Sequence, residues 1–197
     1  MNTCFYGSKK QPQNLFGEDT PELAMFYKTL ETELPGGMRA MRQIQQYWNP
    51  NAFEHTWTMP DGHVAKVKVL GHLDKKIEIE ELGGATFTQR ITVNMNDPDG
   101  LALAANIVQS IDGYIVREML RRLHKQNIEM AAIHDSFWAH PNDMNHVRIT
   151  FNQIMAEIAQ SDLLSDILSE ITGTTITVRK TIYSLHKQIL NANYALS

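Results

Sequence analysis

The chain has 197 residues and a formal net charge of −4, with 43% hydrophobic and 20% charged residues. That length is enough for one domain with a real core. No apolar run reaches the roughly 18 residues that a membrane span requires. The acidic balance argues against a stand-alone nucleic-acid binder, which usually carries a basic surplus, unless metal ions or another chain supply positive charge.

Cys4 is the single cysteine, so no intrachain disulfide can form. "MNTCFYGSKK" at the N-terminus lacks a basic-then-apolar signal pattern. A cytoplasmic, reducing location is the expectation.

In chain order, residues 19–34, "DTPELAMFYKTLETEL", predict a helix. Asp19 or Thr20 can cap it, Pro21 suits its first turn, and Leu23, Phe26, Tyr27, Leu30 and Leu34 form a stripe. "PGG" at 35–37 is expected to stop it, and a second helix is expected over 38–48. "HTWTMPDGHVAKVKVL" reads as a hairpin turning at Pro60-Asp61-Gly62. "KKIEIEEL" and "ATFTQRITV" predict two further strands, and "NMNDPDG" at 94–100 is a dense turn signal.

From about 100 to 126 the period becomes helical, with Ala104, Ile107, Val108, Ile111, Ile115, Met119 and Leu123 at steps of three or four. This segment ends in Arg117, Arg121, Arg122, His124 and Lys125. Cations complementing the helix C-terminal dipole are the first explanation, and contact with a nucleic-acid backbone is the second. Residues 129–141, "EMAAIHDSFWAHP", give two short apolar runs around His134-Asp135, the pattern of a buried hairpin. A helix from about Asn142, a shorter one over 161–171, a "TGTT" break and a closing segment over 176–197 complete the chain. Strands and helices are grouped rather than alternated, so the fold class is α+β.

Three places invite chemistry. An unpaired buried carboxylate costs several kcal/mol, so Asp135 on an apolar hairpin would be paired, protonated or metal-bound. A hard oxygen ligand of this kind suits Mg²⁺, and an Asp capping a hairpin turn is the equally weighted alternative. "FYGSK" at 5–9 places a glycine after an aromatic, which allows close approach to a ligand, although an ordinary turn has the same composition. In "QSIDGYIVR" at 109–117, Gly113 costs a helix roughly 1 kcal/mol, a local conflict that suggests close packing or a kink. No zinc pattern, P-loop or dinucleotide fingerprint is present.

These pieces, in this order, resemble the C-terminal fingers and palm of the phage-type single-subunit DNA-dependent RNA polymerases, which include the mitochondrial enzymes. "TCFYGSK" is similar to the end of the fingers helix motif, with Tyr6-Gly7 on its Tyr-Gly and Ser8 following. "HTWTMPDGHVAKV" resembles the Trp-x-x-Pro-Asp-Gly hairpin. "ANIVQSIDGYIVREM" resembles the Pro-Asn-Phe-Val-His-Ser-x-Asp-Gly helix, aligning Gln109, Ser110, Asp112 and Gly113 with it. "AAIHDSFWAHP" resembles the palm motif His-Asp-Ser-Phe, and "ILNANYALS" the C-terminal tail.

The resemblance implies nucleotidyl transfer from NTPs to an RNA 3′ end on a DNA template, with Mg²⁺ as cofactor. It implies that Asp135 is a metal-binding aspartate and that His134 and Ser136 line the growing RNA end. Tyr6 would sense the ribose 2′-hydroxyl of the incoming nucleotide, and Gly7 would let the template pass closely. A partial right-hand fold follows: 1–50 as the end of the fingers motif and following helices, 51–100 as a β-rich hairpin insertion, 101–197 as palm with the metal-binding hairpin and tail.

Two departures stand out. Gln109 occupies the place of the family's His, and it can still donate to a base edge in the minor groove. The family's other metal aspartate, and the Arg and Lys that hold the incoming triphosphate, have no match here. The expectation is therefore a split enzyme, inactive without a second polymerase chain that carries those groups; a gene fragment or an exon of an interrupted gene would read the same way. Three rival readings stand beside it. A family A DNA polymerase fragment shares the Tyr-Gly and His-Asp elements, but normally has Glu after the Asp, where Ser136 stands. A His-Asp metal phosphohydrolase would need His72, His124 or Asp143 as further ligands. A scaffold remnant without catalysis is the third.

Overall fold

The computed structural model describes residues 10–94, 101–133 and 136–192. Tyr6, Gly7, Ser8, His134 and Asp135, and most of the "NMNDPDG" turn, lie outside the described residues. The architecture is mixed α+β, as the sequence predicts.

Three helices come first: α1 (Lys10–Phe16), α2 (Pro21–Glu33) and α3 (Pro35–Gln46). Thr20 caps α2 as expected, its Oγ1 accepting from Leu23 N at 3.3 Å. The break before α3 falls at Leu34 (φ −128°, ψ 50°), and "PGG" forms the first turn of α3 rather than the stop. The physical reason is that Pro35 at the first helical position removes an N–H that would have no partner there anyway. α1 is unanticipated; it ends at Gly17 in the left-handed region (φ 88°), and Phe16 packs on Phe26 with ring centroids 5.2 Å apart.

Three separate antiparallel hairpins follow the order of the chain: β1 (Glu54–Thr58) with β2 (Val64–Lys68), β3 (Leu70–Ile79) with β4 (Ala85–Asn94), and β5 (Met130–Ile133) with β6 (Ser136–Ala139). The first turns through Gly62 (φ 81°), the position the Pro-Asp-Gly signal marks. The second turns through a short 3₁₀ segment, Glu80–Leu82, and two left-handed glycines, Gly83 and Gly84.

The long helix α4 (Leu101–His124) is the centre of the core. Its buried side chains Leu103, Ala104, Ile107, Ile115, Met119 and Leu123 meet Val147 and Ile154 of α5 (Met144–Gln160) and Ile167 and Leu168 of α6 (Leu163–Thr172). Trp57 and Met59 from the β1–β2 hairpin complete the same cluster. After Gly173 (φ 67°) the chain runs without helix or strand to the short α7 (Leu185–Leu190), which packs on α5. A small 3₁₀ turn, Pro141–Asp143, leads into α5.

The β5–β6 hairpin departs from the expectation of a buried hairpin. Only one face packs inward: Met130, Ala132, Phe137 and Ala139 are half-buried, and Phe137 lies 5.8 Å from Phe151. Ala131, Ile133, Ser136 and Trp138 alternate onto the open face, where Ile133 is 58% and Trp138 62% exposed. A two-stranded ribbon against a single helical layer can cover only one side of its pleat.

Candidate nucleic-acid interface

The site is built on α4. Ser110, Gly113 and Arg117 recur at steps of three and four, so they share one face. That face receives the β1–β2 hairpin. The Trp57 indole is fully buried, and its Nε1 donates to Ser110 Oγ at 2.9 Å, which donates in turn to Ile107 O at 2.7 Å. At the hairpin turn, Arg117 Nε donates to Asp61 Oδ2 at 2.5 Å and Arg117 Nη2 to Asp61 Oδ1 at 3.2 Å. The guanidinium holds the Asp61 carboxyl below its ordinary range.

Gly113 explains how Arg117 reaches Asp61. A Cβ at position 113 would lie 3.2 Å from Arg117 Nη1. The glycine that is unfavourable for the helix leaves the space that this side chain crosses. α4 is continuous from Leu101 to His124, so close packing, rather than a kink, accounts for Asp112-Gly113. A third tie comes from α6: Glu170 accepts from Thr58 N and from Thr58 Oγ1, each at 2.8 Å.

The cations closing α4 are mostly committed inside the fold. Arg121 and Arg122 both donate to Glu118, Arg122 Nε at 2.7 Å. Arg122 also forks onto Glu157 of α5, at 2.8 and 2.5 Å. Glu118 is buried, and these two guanidinium groups lower its pKa to about 2. Ion pairing therefore employs Arg117, Arg121 and Arg122, which neither the dipole explanation nor the backbone-contact one anticipates. Asp61 and Glu157 lie 56 and 35 residues from their partners, so sequence spacing carries no signal for either pair.

The remaining expected residues fall as follows. Gln109 and Asp112 are exposed, three apart on the solvent side of α4. Ser136 is exposed at the start of β6, paired in register with Ile133. The catalytic and metal expectations on His134 and Asp135, and those on Tyr6, Gly7 and Ser8, lie outside the described residues. Among the described residues no group of three or more His, Cys, Asp or Glu side chains is gathered as a metal site. Of the phosphohydrolase ligands, His124 and Asp143 join no such cluster among the described residues, and the side chain of His72 lies outside them. No helix of the described residues is long and apolar enough to cross a membrane.

No curated protein matches the chain at a significant level. The sequence profile described as DNA-dependent RNA polymerase matches residues 85–194, more than half of the chain. The match opens at β4, takes in α4, the β5–β6 hairpin, α5 and α6, and stops near the tail. The Trp57–Asp61 hairpin lies upstream of it, yet is fastened to the matched helix at Ser110 and Arg117. The helix with its Ser-x-Asp-Gly turn, the hairpin with its His-Asp-Ser-Phe sequence and the match that spans both make this chain a member of the phage-type DNA-dependent RNA polymerase family.

Proposed function

We propose that this chain supplies the palm of a DNA-directed RNA polymerase, with Asp135 as one of two carboxylates that hold the catalytic magnesium. Residues 1–50 then end the fingers motif, 51–100 form a hairpin insertion, and 101–197 are palm. The observation that carries the reading is a single family match covering both α4 and the β5–β6 hairpin, which pack on one another.

The local geometry supports it. Residues 125–129 reverse the chain, with Asn127 left-handed at φ 58°, and Ile128 N donates to Leu123 O at 3.0 Å. β5 then packs against α4. Gln109 and Asp112 of α4 and Ser136 at the start of β6 are all exposed. In this reading Gln109 serves the duplex, while Ser110, held by Trp57, and Gly113, which lets Arg117 through, support the hairpin behind it. His134 and Ser136 line the RNA 3′ end. Tyr6 reads the 2′-hydroxyl, with Gly7 and Ser8 beside the template.

Hard carboxylate oxygen together with substrate phosphates suits Mg²⁺. When bound, the metal pair activates the 3′-hydroxyl and stabilises the charge on the departing pyrophosphate. One carboxylate cannot clamp two ions. The second aspartate and the triphosphate-binding Arg and Lys therefore come from polypeptide outside these residues, which we assign to a partner chain.

The test is template-dependent incorporation of NTPs by this chain with and without the product of the neighbouring reading frame. We expect synthesis only in the complex, and a fall of at least about a thousandfold for Asp135→Asn. Full activity in that variant overturns Asp135 as a ligand. RNA synthesis by the isolated chain overturns the partner. Preference for deoxyribonucleotides would point to a DNA polymerase instead.

A further inference from the structure

A groove of about 640 Å³ runs between α3 and the segment 177–183. Arg39, Arg179 and Lys180 line it, and among the described residues no carboxylate does. In a chain of net charge −4, three cations without a lining acid are a local reversal of sign. Lys180 is partly engaged: its Nζ donates to Gln160 O at 2.7 Å and lies 3.2 Å from Asp162 Oδ1. Arg39 and Arg179 are exposed, and among the described residues neither joins an ion pair.

The other lining groups fit a polymer rather than a lone ion. The first turn of α3 carries no acidic residue, so its positive dipole end at Gly36 favours an anion. A Cβ at Gly36 would meet nothing within 4 Å, which leaves the approach to that turn open. Gln43, Thr177 and Thr181 offer polar groups along the groove. Tyr183, 73% exposed, presents an aromatic ring at the groove. Cations along a groove together with an accessible aromatic are the two requirements of single-stranded nucleic-acid binding.

We propose that this groove binds a single-stranded nucleic-acid segment, with Arg39 and Arg179 on backbone phosphates and Tyr183 stacked on a base. The inference rests on the polymerase reading for its choice of polymer, but not on Asp135. It adds a strand-holding surface remote from the metal-binding hairpin in sequence.

The experiment measures binding of a labelled single strand of about a dozen nucleotides to the full chain by fluorescence anisotropy, across a salt series. The double variant Arg39→Ala, Arg179→Ala is expected to bind about tenfold more weakly. Its salt slope should be smaller by about 1.4, two phosphate contacts at about 0.7 each. Tyr183→Ala should lose about tenfold. Thermal melting of each variant should match the parent, since all three side chains are exposed. Asp135→Asn should bind as the parent does while losing synthesis in the assembled enzyme. Unchanged affinity and slope in the double variant, or no single-strand binding by the parent, overturns the groove and leaves the polymerase reading to its own test. Inorganic polyphosphate competing as well as the strand, with Tyr183→Ala silent, reduces the groove to a simple anion site and overturns the proposal.

Discussion

The β1–β2 and β3–β4 hairpins are written in the same alphabet of β-branched residues, lysines and a glycine turn, yet they stand in opposite relation to the core. The first buries Trp57, Met59, Val67 and Val69 and is tied to α4 and α6 by side-chain hydrogen bonds. The second is twice as long, but its sides are open to solvent almost throughout, Phe87 at 47% included. Within it, Arg90 forks onto Asp74 at 2.8 and 3.1 Å. Strand length therefore says little about contribution to stability. What distinguishes the two is whether a large apolar side chain with a polar tip finds a partner across the core.

The comparison can be broken by mutation, and the largest effect belongs to the docked hairpin. Trp57→Ala should cost about 3–5 kcal/mol in denaturant unfolding, because it opens a cavity at the core and strands the Ser110 hydroxyl. Next comes the ion cluster behind it. The folded pKa of Glu118 is about 2, against an ordinary 4.5. Its contribution is complete above about pH 4.5 and is lost as pH falls toward about 2. The shift corresponds to about 3 kcal/mol. In urea titrations at stepped pH, Glu118→Gln should lower stability at pH 7 and flatten this acid limb.

Asp61→Asn should cost about 1 kcal/mol at neutral pH, small because Arg117 is partly solvated. The same sign applies: Asp61 is held below its ordinary range by Arg117, so its share also disappears on acidification. Smallest of all, Arg90→Ala in the open hairpin should leave the melting temperature within about a degree of the parent. A clear drop there would mean that the second hairpin is anchored after all, and the contrast would fail.

Much of this contrast is invisible in the sequence. The hairpins themselves are legible, since Pro60-Asp61-Gly62 and Gly83-Gly84 punctuate alternating runs. The long helix is legible from its apolar stripe, whose Ala104, Ile107, Ile115, Met119 and Leu123 are all buried. What is lost is every decision made across distance. Arg117, Arg121 and Arg122 look like one basic helix end, and only the fold shows that Asp61, Glu118 and Glu157 engage them. The seven-residue α1 contains Pro12 and no apolar stripe, so its existence depends on Phe16 meeting Phe26. At Leu34 the two competing signals, a proline that ends one helix and a proline that begins another, are local enough to read, but their balance is set by one residue's torsions. The one-sided burial of β5–β6 follows from how few layers cover it, a property of the packed chain alone. The role proposed for His134-Asp135 rests on motif order alone, since both residues lie outside the described ones.

The two attachments of the β1–β2 hairpin have a mechanical consequence. Ser110 and Arg117 are seven residues apart on α4, about 10.5 Å along its axis. A hairpin held at one point could pivot about it. Held at two, with the Glu170 tie off that line, it loses the rigid-body rotations that a single contact leaves free. Gln109 and Asp112 flank the first of those points on a neighbouring strip of the same helix, so their azimuth is fixed by the bracing on the adjoining face. The tolerance with which α4 presents these side chains is therefore set by side chains that never face the strand it would present them to.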